Sequence, residues 1–77
     1  MKLNIISPEK ILFSGEVSSV TLPGAMGSFT ILKDHAPIIS KLGEGTITYS
    51  FDGNEVSLPV KDGFIEAKRN IVTVCVE

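Results

Sequence analysis

A chain of 77 residues, 43% of them apolar, with 7 basic and 9 acidic side chains and a formal charge of −2, makes one small domain. It carries no basic stripe, which argues against nucleic acid as a partner. Its longest apolar run is three residues (Ile11 to Phe13, for example), too short to cross a bilayer or to form the apolar region of a secretory signal.

So short a chain buries only about 60–65% of its unfolded surface, and its core must therefore be dense. Nine Ile, seven Val and five Thr load it with β-branched side chains, which favour extended strands. The single Cys75 allows no intrachain disulfide, which fits a reducing compartment.

In chain order, Lys2 to Ile6 alternates as a strand with Leu3 and Ile5 on one face, and Ser7-Pro8-Glu9-Lys10 turns it. Ile11 to Phe13 resumes an extended segment that Ser14-Gly15 bends. From Glu16 to Leu22 the alternation slips, because Val17 falls opposite Val20 and Leu22; a bulge near Ser18-Ser19 would restore it. The glycine-spaced stretch Pro23 to Gly27 then forms a loop, and Phe29 and Ile31 share one face of the strand that follows.

Asp34 is placed to cap a single short helical turn through Pro37, with Ile38, Ile39 and Leu42 packing inward. Gly43-Glu44-Gly45 opens a hairpin in which Ile47, Tyr49 and Phe51 point inward. Its turn is Asp52-Gly53, where both residues tolerate positive φ. Val56, Leu58 and Val60 return, with Pro59 marking an edge or the end of pairing. Asp62-Gly63 and Lys68-Arg69-Asn70 make two further turns around Phe64 to Lys68, and Val72, Val74 and Val76 line one side of a last strand. Strands every eight to twelve residues with turn chemistry between them describe an all-β sandwich or small barrel.

Little in the chain suggests catalysis. His35 and Cys75 are the only histidine and the only thiol; Cys75, within a valine-rich strand, reads as small core filler. Asp34 and His35 are chain neighbours whose side chains diverge, which places them poorly for shared acid–base work. No paired His and Cys ligands exist for zinc, so neither a metal site nor a cofactor site is expected. Gly24-Ala25-Met26-Gly27 leads into a strand, whereas phosphate-cradling loops lead into helices. The stretch from Pro23 to Pro37 reads as turn, strand and turn, or as a contact loop shaped for a partner.

Three segments, LNIISPEKILFSGEVSSVTLPG, GSFTILKDHAPII and DGFIEAKRNIVTVCVE, together resemble the N-terminal β-sandwich domain of the epsilon subunit of F-type ATP synthase, called delta in mitochondria. The signposts Pro8-Glu9, Phe13-Ser14-Gly15, Pro23-Gly24, Gly27, His35-Ala36-Pro37 and Gly63-Phe64 stand in that family's order and spacing. The resemblance implies a ten-stranded sandwich of two five-stranded sheets. It implies a noncatalytic central-stalk subunit that binds the gamma subunit of F1 and the c-subunit ring of Fo, without inserting into the membrane itself. That assembly couples proton transport to ATP synthesis at the cytoplasmic face of a bacterial plasma membrane.

Carried over by position, the resemblance implies a ring-facing end comprising Met26, Gly27 and Ser28 together with His35, Ala36 and Pro37. Ser28 stands where many members have an acidic residue, and Lys33 where proline is common. Typical bacterial members continue into a two-helix C-terminal domain, which can inhibit ATP hydrolysis and in some binds ATP. On this resemblance residues 1–77 form the sandwich domain alone, with that hairpin absent and no ATP site expected. The reading from a different class is a free-standing sandwich that binds a small ligand at the rim formed by Pro23 to Pro37.

Overall fold

The structure, a computed structural model, describes all residues from Met1 to Glu77. It is built of nine strands and no helix: β1 (Lys2–Ile6), β2 (Ile11–Glu16), β3 (Ser19–Gly24), β4 (Gly27–Leu32), β5 (Ile38–Leu42), β6 (Gly45–Phe51), β7 (Asn54–Val60), β8 (Gly63–Lys68) and β9 (Ile71–Val76). Hydrogen bonds join them in the order β2-β1-β9-β8-β5-β3-β6-β7, with β4 on the free side of β3. All neighbours are antiparallel except β1 and β9, which run parallel from Lys2↔Ile71 to Ile6↔Cys75.

The order folds into two layers, β2-β1-β9-β8-β5 and β4-β3-β6-β7. They meet where Gly24 of β3 pairs with Leu42 of β5. There β5 ends and β6 begins after only Gly43 and Glu44, so the chain crosses between layers along one side of β3. Small residues permit the crossing: a Cβ on Gly45 would lie 2.6 Å from Pro23 Cβ. The expected ten strands in two fives are thus nine strands in a five and a four, because β5 runs almost directly into β6 at the layer junction.

Fifteen apolar side chains fill the space between the layers, and no polar residue is buried. Leu3, Ile5, Ile65, Val72 and Val74 line one layer; Val20, Leu22 and Ile47 line the other, all fully buried. Tyr49 packs on Phe13 with ring centroids 4.4 Å apart, and Phe13 meets Phe51 edge-on at 5.2 Å. Burial pushes the Tyr49 phenol above its ordinary pKa.

Four expectations from the sequence need correction. First, Val17 is buried because β2 stops at Glu16 and β3 starts at Ser19, so the chain changes layer there rather than bulging; the irregularity lies in the β1–β2 pairing, where Leu12 of β2 is the extra residue between Ile5↔Phe13 and Ile6↔Ile11. Second, Asp34 starts no helical turn. It takes a left-handed φ of 63°, and Ile38 to Leu42 pair with β8 as a strand. Pro37 works against helix for the residue before it, and Ile38 and Ile39 favour extension. Third, Phe51 is 40% exposed, since it ends β6 next to the turn. Fourth, Cys75 is not core: alternation turns Val74 and Val76 inward and Cys75 to the outer face.

Candidate partner-binding surfaces

Strand register decides where each candidate residue sits. Gly24↔Gly27 closes the β3–β4 hairpin over Ala25 and Met26, so Met26 projects fully exposed from its tip, beside Gly27 and Ser28. Two contacts brace this tip: the Ala25 N–H donates to the Lys41 carbonyl at 3.1 Å, and the Gly43 N–H donates to the Pro23 carbonyl at 2.7 Å. Gly24 has no room for a side chain, because a Cβ there would fall 2.7 Å from the Gly27 carbonyl oxygen.

His35, Ala36 and Pro37 lie at the other end of β4, roughly 17 Å along the strand at ~3.4 Å per residue. The two stretches therefore do not share one end, contrary to the joint ring-facing placement inferred from the sequence. Sequence proximity concealed this, since an extended six-residue strand separates its ends by most of the width of a molecule with extents of 25 × 24 × 19 Å.

The His35 corner is held by the β8–β9 turn. The Asp34 N–H donates to Asn70 Oδ1 at 3.1 Å. His35 Nδ1 lies 2.8 Å from the Ala36 carbonyl, which only accepts, so this nitrogen carries the proton. Nε2 is buried and has no hydrogen-bond partner. No three His, Cys, Asp or Glu side chains are placed to hold a metal.

The outer face of the five-stranded layer is a surface that the sequence did not reveal. Its side chains form cross-strand rows. Ile6, Cys75, Phe64 and Lys41 make one, and Asn4, Thr73, Glu66 and Ile39 the next. Ile39 is 76% exposed and Phe64 52% exposed. With Ile6, Pro8, Cys75 and Val76 they line an open groove of about 740 Å³. The available signal was period-two alternation in β5, β8 and β9, which assigns these residues to the face opposite the core.

The sequence profile of the ATP synthase delta/epsilon chain β-sandwich domain matches residues 1–77. The chain belongs to that family. It is 42% identical over 74 residues to the ATP synthase epsilon chain of Leptospira borgpetersenii, covering 96% of this chain and 58% of the relative. Against the epsilon chain of Chlorobium limicola identity is 44% over 70 residues, covering 90% of this chain and 80% of that one. The Geobacter sulfurreducens epsilon chain is 38% identical over all 77 residues, which make up 56% of its length. The chain thus spans little more than half the length of several curated relatives. Two solved structures share the fold at 17% identity: a Tetrahymena thermophila mitochondrial ATP synthase central stalk and c-ring (TM-score 0.83, 97% of this chain and 61% of that one) and a Euglena gracilis mitochondrial ATP synthase (TM-score 0.89, 96% and 48%).

Proposed function

We propose that this family member is a noncatalytic central-stalk subunit of an F-type ATP synthase, linking the gamma subunit to the c-subunit ring. The observation that carries the reading is the family match along the whole chain, joined to a fold whose outer face leaves large apolar side chains unburied. In this reading gamma covers the Ile39–Phe64 groove. Desolvating apolar area of that kind stabilises association by roughly 25 cal/mol per Å² before the costs of binding.

Met26, Gly27 and Ser28, on the braced hairpin tip, face the ring. Ser28 offers a hydroxyl there rather than a carboxylate. His35, Ala36 and Pro37 lie at the end away from the ring and hold the start of β5 in place. The subunit couples proton flow to ATP synthesis by transmitting torque, and a small sandwich with a dry core suits that task because close-packed interiors deform little. The complex is peripheral on the cytoplasmic face of a bacterial membrane. No helix of the chain is long and apolar enough to cross one.

Affinity purification from native membranes tests the reading: gamma and the c-ring co-purify with the wild type, and Ile39→Asp loses gamma. Met26→Cys forms a cross-link to the polar loops of the ring. Recovery of the wild-type protein alone, from cells that hold an intact synthase, refutes it. An open groove fits a partner surface better than a small ligand, and a thermal-shift screen separates the two, since a ligand of the native state raises the melting temperature.

A further inference from the structure

We propose that the end of the molecule built from the β8–β9 turn and the Lys33–Pro37 connection is a cationic docking surface for a carboxylate-rich segment of a partner protein. Its four cations are scattered in sequence and gathered by the fold. Lys2 and Lys68 flank Ile71 in a third cross-strand row on the outer face. Asn70 draws the rest together: its side-chain oxygen accepts the Asp34 N–H at 3.1 Å, and its carbonyl accepts the Lys2 N–H at 2.9 Å. Lys33 and Arg69, the chain neighbours of those anchor points, stand alongside, and all four cations are exposed.

The charge is uneven. Against Lys2, Lys33, Lys68 and Arg69 stand Asp34, Glu66 and Glu16, the last directly across from Lys2 in the β1–β2 register, a local side-chain excess of one positive charge in a chain of −2, so the remainder carries −3. Glu66 meets Lys68 at 3.6 Å, whereas Lys2, Lys33 and Arg69 take part in no ion pair. The Met1 ammonium is already matched by Glu16 at 3.1 Å.

Arg69 is the second, independent sign. It holds a left-handed φ of 51° at the first position of a two-residue turn, where glycine, asparagine or aspartate is the relaxed choice. Asn70 and Asp34 tolerate that conformation; arginine gains nothing from it. A side chain kept against its local preference points to a role for its charge, and a guanidinium fork matches a carboxylate in two parallel hydrogen bonds.

The nature of the occupant rests on the stalk reading above. With the Met26 tip toward the ring, this end points away from the membrane, so its counter-charges are protein carboxylates rather than lipid headgroups. The surface also continues the outer face on which the apolar groove lies, so one partner body can cover both.

The test titrates the isotope-labelled protein at low ionic strength with poly-L-glutamate and, separately, with phosphatidylserine vesicles, following backbone amides by NMR. Shifts are expected at Lys2, Lys33, Lys68, Arg69 and Asn70 with the polypeptide, and they vanish at high salt as screening shortens. Arg69→Gly and Lys33→Gln each weaken binding by about 1.5- to 5-fold, the range for an exposed charge pair. Lys10→Gln, at the opposite end, leaves it unchanged, and Arg69→Gly does not lower the melting temperature. Absent or dispersed shifts, stronger perturbation by vesicles, or equal weakening by Lys10→Gln overturns the proposal. If the titration succeeds while the Met26 cross-link to the ring fails, the cationic surface stands and the orientation falls.

Discussion

Substituting Gly63 by alanine isolates a steric requirement that neither composition nor burial states. Gly63 opens β8 at a φ of 155°, paired with both Leu42 and Val76, and its N–H donates to Asp62 Oδ1 at 2.8 Å. A Cβ there would lie 2.2 Å from the Cys75 carbonyl oxygen and 3.1 Å from Val76 Cα. Both are backbone atoms, so no rotamer relieves the contact and β8 must move off β9 by about 1 Å. Overpacking of this kind costs about 1–3 kcal/mol, and weakening one or two ladder hydrogen bonds adds about 0.5–1.5 each. Restricting the unfolded chain returns about 0.4–1 kcal/mol, which leaves a loss of roughly 2–4 kcal/mol.

Gly53→Ala is the matched control. Its φ of 79° is also left-handed, but nothing lies within 4 Å of the added carbon, so only the conformational cost of about 1–2 kcal/mol applies. Urea unfolding followed by circular dichroism measures both. The chain has one tyrosine and no tryptophan, so Tyr49 fluorescence gives a second probe inside the core. At about 4–8 °C per kcal/mol for a domain of this size, Gly63→Ala melts roughly 8–32 °C below wild type. Equal losses at the two positions, or a loss under 1 kcal/mol at Gly63, refute the steric reasoning.

Leu22 is fully buried between the layers, and Leu22→Ala costs about 2–5 kcal/mol by urea titration, at an unchanged far-ultraviolet spectrum. Burial holds the Tyr49 phenol neutral in the fold above its ordinary pKa of 10.0, so its contribution is complete below that pH and declines as pH rises toward the folded value. Stability measured from pH 9 upward therefore falls less steeply in Tyr49→Phe than in wild type. Glu16, whose side chain is 75% exposed, pairs with the Met1 ammonium, and Glu16→Gln shifts stability by under ~1 kcal/mol, an effect that disappears in high salt.

The β-rich class, the hairpin at Asp52-Gly53, the edge role of β7 with Pro59 and the inward valines of β9 were all legible in the chain, because each rests on alternation or turn chemistry within a few residues. Family membership was legible too, since signposts spread from Pro8 to Phe64 keep their spacing whatever the fold does with them. What only the tertiary structure decided depends on which strands become neighbours. Register puts Met26 and His35 at opposite ends, turns Cys75 outward, and merges β5 with β6 at the layer junction. It also gathers Lys2, Lys33, Lys68 and Arg69 around Asn70, where the sequence had displayed no basic stripe. Local pattern selects the face on which a side chain emerges; the pairing of distant strands selects the charges and apolar groups that stand beside it, and that pairing is set by burying the core as a whole.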